Sequence, residues 1–306
     1  MDALLFPGQG AQAVGMGQPL AATFPAARDT FAEANDALGF DLTRLCFEGP
    51  VEELARTDNT QPAILTCSIA AYRAFQAAGG EVACRFVAGH SLGELTALVA
   101  AGALTFADGV RLVRARGRFM SEAVAPGAGA MAAVIGLDRR AVEAVCDGVA
   151  GEVWPANFNS PEQTVIAGRA AAVAAACTAA LAAGAKKALP LQVSGPFHTP
   201  LMAPAGEKLA ATLAEIDFRP PCCPLLNNAE ASPLTDPEAI RASLVRQISS
   251  PLLWVESVQR LANEGVTRGY EFGPGRVLAG LIRRIDSRIQ TVSVSDPASL
   301  DKALAG

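Results

Sequence analysis

Residues 89–93 read Gly-His-Ser-Leu-Gly, where the apolar run "FVA" meets the helical pattern "LGELTAL". Gly-x-Ser-x-Gly at a strand-to-helix turn is the nucleophile-elbow arrangement. The tight turn presents the Ser91 hydroxyl, and the glycines let strand and helix approach closely. The helix start behind Ser91 offers free backbone N–H groups and a positive dipole end, so the Leu92 N–H is expected to face a developing oxyanion. Such a serine does acyl chemistry, passing the acyl group to water or to another nucleophile.

A serine needs a base, and the chain has only two histidines, His90 and His198. His90 adjoins Ser91 in the turn, so its side chain is expected on another side. His198 lies far downstream in "VSGPFHTP", and Ser before His is the chain order of elbow enzymes, so His198 is the expected base. No acid stands out as a third member. Asp138, Asp147 and Glu152 fall between Ser91 and His198, but in or beside a separate compact segment; a backbone carbonyl could orient the imidazole instead. The Gly-rich turn "FPGQG" (6–10) could supply a second oxyanion donor, or be an ordinary β-turn.

The helix "DGVRLVRARGRFMSEA" carries four arginines. Neighbours on a helix lie three and four residues away. For Arg116 these are Leu112, Val113, Phe119 and Met120, all apolar, whereas Arg111, Arg114 and Arg118 read as a solvated face. Arg116 therefore belongs to the buried stripe, where a guanidinium without an anion is costly. Either a protein carboxylate or a substrate carboxylate is expected to meet it, and arginine suits a bidentate grip on a carboxylate.

Alternating elements must position these groups. An apolar strand opens the chain, helices follow at 25–38, 51–56 and 63–78, and strand 85–88 leads into the elbow and helix 92–101. A helix at 106–123 closes the first part. This alternation implies α/β architecture with a parallel sheet covered on both faces. After "APGAGAM" comes strand "MAAVIGL", helix 139–147, strand "VWPANFN", strand "QTVIAG", helix 170–183 and strand "KALPLQV". That β-α-β-β-α-β order is the ferredoxin-like arrangement. Residues 126–194 are thus expected to be a small inserted domain, with 1–125 and 195–306 forming a discontinuous large domain. The rest reads as helices 201–216, 237–247, 252–264 and 277–285, a Pro-rich strand approach "RPPCCPLLNN", strand "RGYEFGPG" and a last strand "QTVSVS".

With 306 residues, 51% hydrophobic and 18% charged, the chain can bury a large core. A net charge of −5 gives no global attraction for nucleic acid. No apolar run is long enough for a membrane span, and "MDALLFPGQG" reads as a strand rather than a signal peptide, so a cytoplasmic protein is expected. Seven cysteines without a C-x-x-C, and so few histidines, argue against zinc; most thiols are expected buried and reduced.

Together these stretches resemble the malonyl-CoA:acyl-carrier-protein transacylases of fatty-acid synthesis, and are similar to polyketide synthase acyltransferase domains. The matching segments are "FPGQGAQAVGMG", "TQPAILT", "GHSLGELTALVAAGAL", "RARGRFM", "GAMAAVIGL", "NFNSPEQTVIAG", "VSGPFH", "LVRQISSPLLW" and "YEFGPGRVLAGL", in order along nearly the whole chain. The resemblance implies a hydrolase-like core with a ferredoxin-like insert and a ping-pong reaction through malonyl-Ser91, with the phosphopantetheine thiol of acyl carrier protein as acceptor. It implies His198 as general base and acid, the backbone N–H groups of Gln9 and Leu92 as the oxyanion hole, and Arg116 as the ligand of the malonyl carboxylate. Gln247 would orient His198 through its backbone carbonyl. Gln61 and Asn159 sit in matching motifs without an assigned role. Phe197, before the base, is the residue found in malonyl-selective members; a ring there could crowd an α-methyl branch, with discrimination of about 10–200-fold. "GPFH" instead of "HAFH" sets the chain nearer the fatty-acid enzymes. Lys186, Lys187, Arg283 and Arg284 fall at matching basic positions and are expected to dock the acidic carrier protein and CoA. The resemblance calls for no cofactor or metal, and a monomer is expected. The alternatives are a discrete polyketide acyltransferase, a serine esterase or thioesterase, and a non-catalytic scaffold. The hydrolase reading predicts neither Arg116 on the buried stripe nor the insert.

Overall fold

The computed structural model describes residues 1–305. Its strands are β1 (Asp2–Phe6), β2 (Cys84–Gly89), β3 (Gly129–Ile135), β4 (Val153–Ser160), β5 (Gln163–Arg169), β6 (Lys187–Pro190), β7 (Leu225–Leu226), β8 (Pro233–Leu234), β9 (Arg268–Phe272) and β10 (Gln290–Val294). They form two sheets, one in the order β10-β9-β1-β2-β7-β8 and one in the order β4-β5-β3-β6. The large sheet is parallel except for the terminal hairpin strand β8.

Strand β1 explains why this sheet is buried on both sides. Leu4 and Phe6 point to one face, into a core shared with the helices Thr57–Ala77 and Phe106–Glu122. Ala3 and Leu5 point to the other, against Trp254, Val258, Leu281 and Ile282. A continuous apolar run is what a central parallel strand requires, since period-two alternation then sends apolar groups to both faces. Phe6, Tyr72, Phe75, Tyr270 and Phe272 pack as one aromatic cluster on the first face.

The second sheet is antiparallel throughout and has the expected β-α-β-β-α-β element order. Ala132, Val134 and Ile166 face its two helices, Arg139–Gly148 and Ala170–Ala182. The alternate residues Met131, Ala133 and Val165 face the opposite way and join the large core. The second sheet is tied at a seam to the segment before the helix Trp254–Asn263, where Leu252 N–H donates to Ala156 O and Phe158 N–H donates to Leu252 O, each at 2.9 Å. That seam delays the expected helix at 252, which runs Trp254–Asn263 instead.

Several boundaries depart from expectation for local reasons. The helix expected from residue 63 starts at Thr57, with Pro62 inside it. Pro62 cannot donate to the carbonyl of residue 58, but the preceding turn is held by other bonds. Arg56 O accepts from the N–H groups of Asn59 and Thr60, while the Asn59 and Thr60 side chains bond the carbonyls of Glu53 and Leu54. Strand β6 stops at Pro190, short of the expected "KALPLQV", although Leu191 N–H still makes one bond to Met131 O. The expected helix from 201 begins as a 3-10 turn, Pro200–Met202, and continues as Ala203–Ala214. Short helices at Gln18–Thr23, Leu42–Glu48 and Pro297–Leu304 were not expected. The last is fixed by a capping box between Asp296 and Ser299.

Four of the seven free cysteines are buried, while Cys84 and Cys177 are half-buried and Cys222 is exposed. No described helix is long and apolar enough to cross a membrane. Among the described residues, no three His, Cys, Asp or Glu side chains converge as metal ligands.

Candidate active site

Ser91 sits at the C-terminal end of β2, immediately before the helix Leu92–Ala100. Its backbone has φ 54° and ψ −108°, a left-handed conformation that a non-glycine residue holds only when its surroundings enforce it. The flanking glycines permit the fold-back: a Cβ on Gly89 would collide with the backbone of Gly93, and one on Gly93 with the carbonyl of Phe6. Asn228, just past β7, completes the clamp. Its Oδ1 accepts from Ser91 N–H at 2.7 Å and its Nδ2 donates to Gly89 O at 2.8 Å.

His198 Nε2 lies 2.8 Å from Ser91 Oγ, and His198 Nδ1 lies 2.9 Å from the backbone carbonyl of Gln247. A carbonyl only accepts, so Nδ1 carries the proton and Nε2 presents its lone pair to the Ser91 hydroxyl. His198 is itself left-handed, at φ 60°. Burial first, and then the charge of Arg116, depress its pKa to about 3, against a smaller opposing effect of the Gln247 bond. The imidazole is thus neutral at pH 7. None of Asp138, Asp147 and Glu152 orients it; Gln247 O does.

The Arg116 guanidinium is 1% exposed. Its Nη1 donates to Gln61 Oε1 and its Nη2 to Gln247 Oε1, both at 2.8 Å, and Nη2 also donates to Ser91 Oγ at 3.1 Å. No carboxylate oxygen among the described residues lies within 4.0 Å of it. The protein-carboxylate alternative is therefore set aside: two neutral amide oxygens position the cation and leave its charge uncompensated by direct contact. Burial lowers its pKa only to about 10, so it stays charged. Arg111 and Arg118 are exposed as expected. Arg114 is not: it is half-buried over the Phe40 ring and donates to Asn59 Oδ1.

The Leu92 N–H is the first amide of its helix, and the Gln9 N–H lies in the turn after β1. Neither has a hydrogen-bond partner among the described residues. The turn is close to the elbow, since His90 N–H donates to Phe6 O at 3.1 Å. Gln9, Ser91, Leu92, Arg116, Phe197 and His198 all border one cavity of about 310 Å³ between the two sheets. The inward face of the second sheet forms its opposite wall through Met131, Ala133 and Val165. His90 makes no hydrogen bond to Ser91, yet it borders the same cavity, as does Asn159. Its Nε2 bonds Asn159 Oδ1 at 2.8 Å and its ring meets Trp254 edge-on, tying the elbow to β4.

Of the basic residues, Lys186 pairs with Glu162 at 3.1 Å and Arg284 Nη1 donates to Gln163 Oε1 at 3.4 Å. Both thus flank the β4–β5 turn, and Gln163 borders the cavity. Lys187 is exposed on β6 beside them. Arg283 lines a different surface groove, with Arg276 and Ser287. Sequence reasoning missed Asn228 and Glu94. Glu94 is fully buried, accepting from Asn228 N–H and Gln247 Nε2. The available signals were a charged residue one turn past the elbow in an apolar helix, and an Asn pair directly after "PLL".

The arrangement is a neutral base on a strained hydroxyl, two free amides beside it and a buried cation at the same oxygen. It can form and transfer an acyl ester, most favourably one carrying a negative charge. Residues 3–294 match the family model described as acyl transferase domain. The chain is 51% identical over 304 residues to the malonyl CoA-acyl carrier protein transacylase of Escherichia coli K12, covering 99% of this chain and 98% of that protein. It is similar to the crystal structure of an acyl-carrier-protein S-malonyltransferase from Burkholderia pseudomallei 1710b, with 51% identity, a TM-score of 0.97 and coverage of 100% and 99%. It is also similar to a malonyl-transacylase solved in complex with a type II polyketide synthase acyl-carrier protein, with 49% identity, a TM-score of 0.97 and coverage of 99% of both chains.

Proposed function

The chain belongs to the acyl transferase domain family, and from that premise we propose that it moves malonyl from malonyl-CoA to the phosphopantetheine thiol of acyl carrier protein through an ester on Ser91. The observation that carries this reading is Arg116, a buried cation that no carboxylate contacts directly and that touches the nucleophilic oxygen itself. A hydrolase acting on neutral acyl groups has no use for that charge.

In this mechanism Ser91 Oγ attacks the thioester carbonyl while His198 Nε2 takes its proton. The imidazolium is steadied by Gln247 O. The N–H groups of Gln9 and Leu92 stabilise the oxyanion, the term that generally contributes most to acyl transfer. Collapse expels CoA, whose sulfur takes the proton from His198. The carrier thiol then attacks malonyl-Ser91 with His198 again as base, and Ser91 regains its proton. Arg116 holds the malonyl carboxylate through both halves. Phe197 borders the acyl end and disfavours an α-methyl branch.

Residues 126–194 act as a small domain covering the cleft. Lys186, Lys187 and Arg284, with Arg283 nearby in sequence, meet the acidic carrier and the CoA phosphates. The atoms balance without a bound cofactor, and we assign a cytoplasmic monomer. The fatty-acid carrier is the assigned acceptor. A polyketide carrier is the second reading, favoured by the similarity to the transacylase in the polyketide complex.

The test is intact-mass analysis with malonyl-CoA. A malonyl adduct on Ser91 that disappears on adding holo-carrier protein, with malonyl-carrier formed, supports the proposal. Turnover to free malonate at the same rate without an acceptor would make the chain a thioesterase.

A further inference from the structure

Glu94 is fully buried, yet none of the transfer steps above uses it. It stands in the first turn of the helix behind Ser91. Its Oε2 accepts from Asn228 N–H at 2.8 Å and from Gln247 Nε2 at 2.9 Å, while its Oε1 has no hydrogen-bond partner. The Gln247 amide is therefore a bridge. Its nitrogen donates to Glu94, and its oxygen accepts from Arg116 at 2.8 Å. A buried carboxyl and a buried guanidinium thus share one amide without touching each other. A carboxyl with one bare oxygen in a water-poor site holds a proton readily, because the charged form is poorly solvated there. Burial pushes Glu94 up to about 7, against the bonds from Gln247 and Asn228 and the charge of Arg116, with Glu230 pushing the same way as burial.

We propose that Glu94 is the proton-linked counter-charge of Arg116: where it is ionised in the empty cleft, it takes a proton from solvent when an acyl carboxylate settles on Arg116. The proposal rests on the malonyl reading above. The acyl carboxylate brings one negative charge into the site, and Glu94 gains one proton at Oε1, so the net charge of the site stays constant. Departure of the acyl group on the carrier reverses both changes. Glu94 is also a positioning residue, because its acceptor oxygen fixes which end of the Gln247 amide faces Arg116.

Arg116, His198, His90 and Glu230 are the other charged or titratable groups facing this site. Arg116 stays charged, with its pKa at about 10. Burial and Arg116 keep His198 neutral, with its pKa at about 3. Burial likewise lowers His90, which bonds Asn159. Glu230 is paired with Arg246 at 2.6 Å. The sign follows from linkage. An anion on Arg116 raises Glu94 further, so above about pH 7 loading consumes a proton and malonyl binding weakens as pH rises. Below that pH Glu94 is already protonated and no proton is taken up.

The probe is malonyl-N-acetylcysteamine thioester, which has no phosphate to titrate, with the acetyl thioester as control. A pH indicator in weak buffer reads protons during single-turnover acylation of Ser91. Wild type is expected to take up about one proton per malonyl at about pH 8.5, none at about pH 6, and none with acetyl. The KM for the malonyl thioester is expected to rise about thirtyfold over that range in wild type, the linkage counterpart of one proton taken up at about pH 8.5 by a group at about 7. In Glu94→Gln, whose amide oxygen can still accept both bonds, it should stay near the low-pH value throughout. Malonylation without proton uptake at either pH, or a KM slope that persists in Glu94→Gln, would overturn the proposal while leaving the malonyl reading intact. Failure of Ser91 to take malonyl at all would overturn both. Should Glu94→Gln not fold, the wild-type proton count decides alone.

Discussion

Replacing Arg116 with alanine separates a substrate-binding role from a structural one. The guanidinium is pinned by Gln61 and Gln247 and reaches Ser91 Oγ at 3.1 Å, so an acyl group esterified there has its distal carboxylate beside the cation. Charge-assisted hydrogen bonds contribute about 1.5–3 kcal/mol each. Removing one member of a buried charge pair costs about 2–5 kcal/mol, mostly because the other is left unpaired. At about 1.4 kcal/mol per factor of ten, kcat/KM for malonyl-CoA should fall about 30-fold to a few thousandfold. Acetyl-CoA brings no carboxylate, so its kcat/KM should stay within about threefold or rise, since an adjacent cation no longer holds Ser91 Oγ. The assay is thiol release from each CoA ester with carrier protein present, with thermal melting alongside. Arg116→Met, which keeps most of the volume without the charge, controls for the cavity, and it leaves the same two amide oxygens of Gln61 and Gln247 without a donor. Equal losses for malonyl and acetyl in both variants would refute the reasoning, making Arg116 a structural group if the melting temperature falls with them and a general positioner of Ser91 if it does not.

Asn228→Ala should destabilise the fold by about 2 kcal/mol or more and lower kcat, because it orphans the buried Ser91 N–H and Gly89 O; urea unfolding and turnover read the two effects, and no change in either would mean that the elbow holds its own geometry. His198 sits near 3 in the fold and near 6.5 when unfolded, so the unfolded chain binds the proton first and stability is lost as pH falls from about 6.5 toward about 3. That slope should shrink in His198→Gln when urea midpoints are compared across pH, and an identical slope would place the imidazole in a wetter site. Reversing Lys186 and Lys187 together to Glu should raise KM for carrier protein about three- to tenfold with little change in melting temperature; an unchanged KM removes them from the docking surface.

Much of the fold is local in origin and was legible. Apolar runs gave β1 and β2, helical periodicity gave the helices Pro25–Leu38 and Val277–Ile285 to the residue, and the order of elements gave the antiparallel second sheet. Boundaries failed where side-chain bonds to the preceding turn carried a helix through Pro62, and where a bond to a distant strand overrode the local signal at Leu252. Arg114 failed differently. Its neighbours on its own helix include two arginines, but the surface it meets belongs to Phe40, in the bend after the helix Pro25–Leu38, and to Asn59, on the helix Thr57–Ala77.

The sequence by itself determined that a serine would sit in an elbow, that His198 was its available base and that Arg116 would be buried. Each follows from spacing along one element or from scarcity of a residue type. Which groups Arg116 would meet, and what would hold the elbow, only the tertiary structure decided. Strand β2 lies between β1 and β7, which brings Asn228 to Ser91 across 137 residues of chain, and Gln247 to Arg116 across 131. Such partners are chosen by the crossing order of strands in the sheet, and no local period of the chain carries that order.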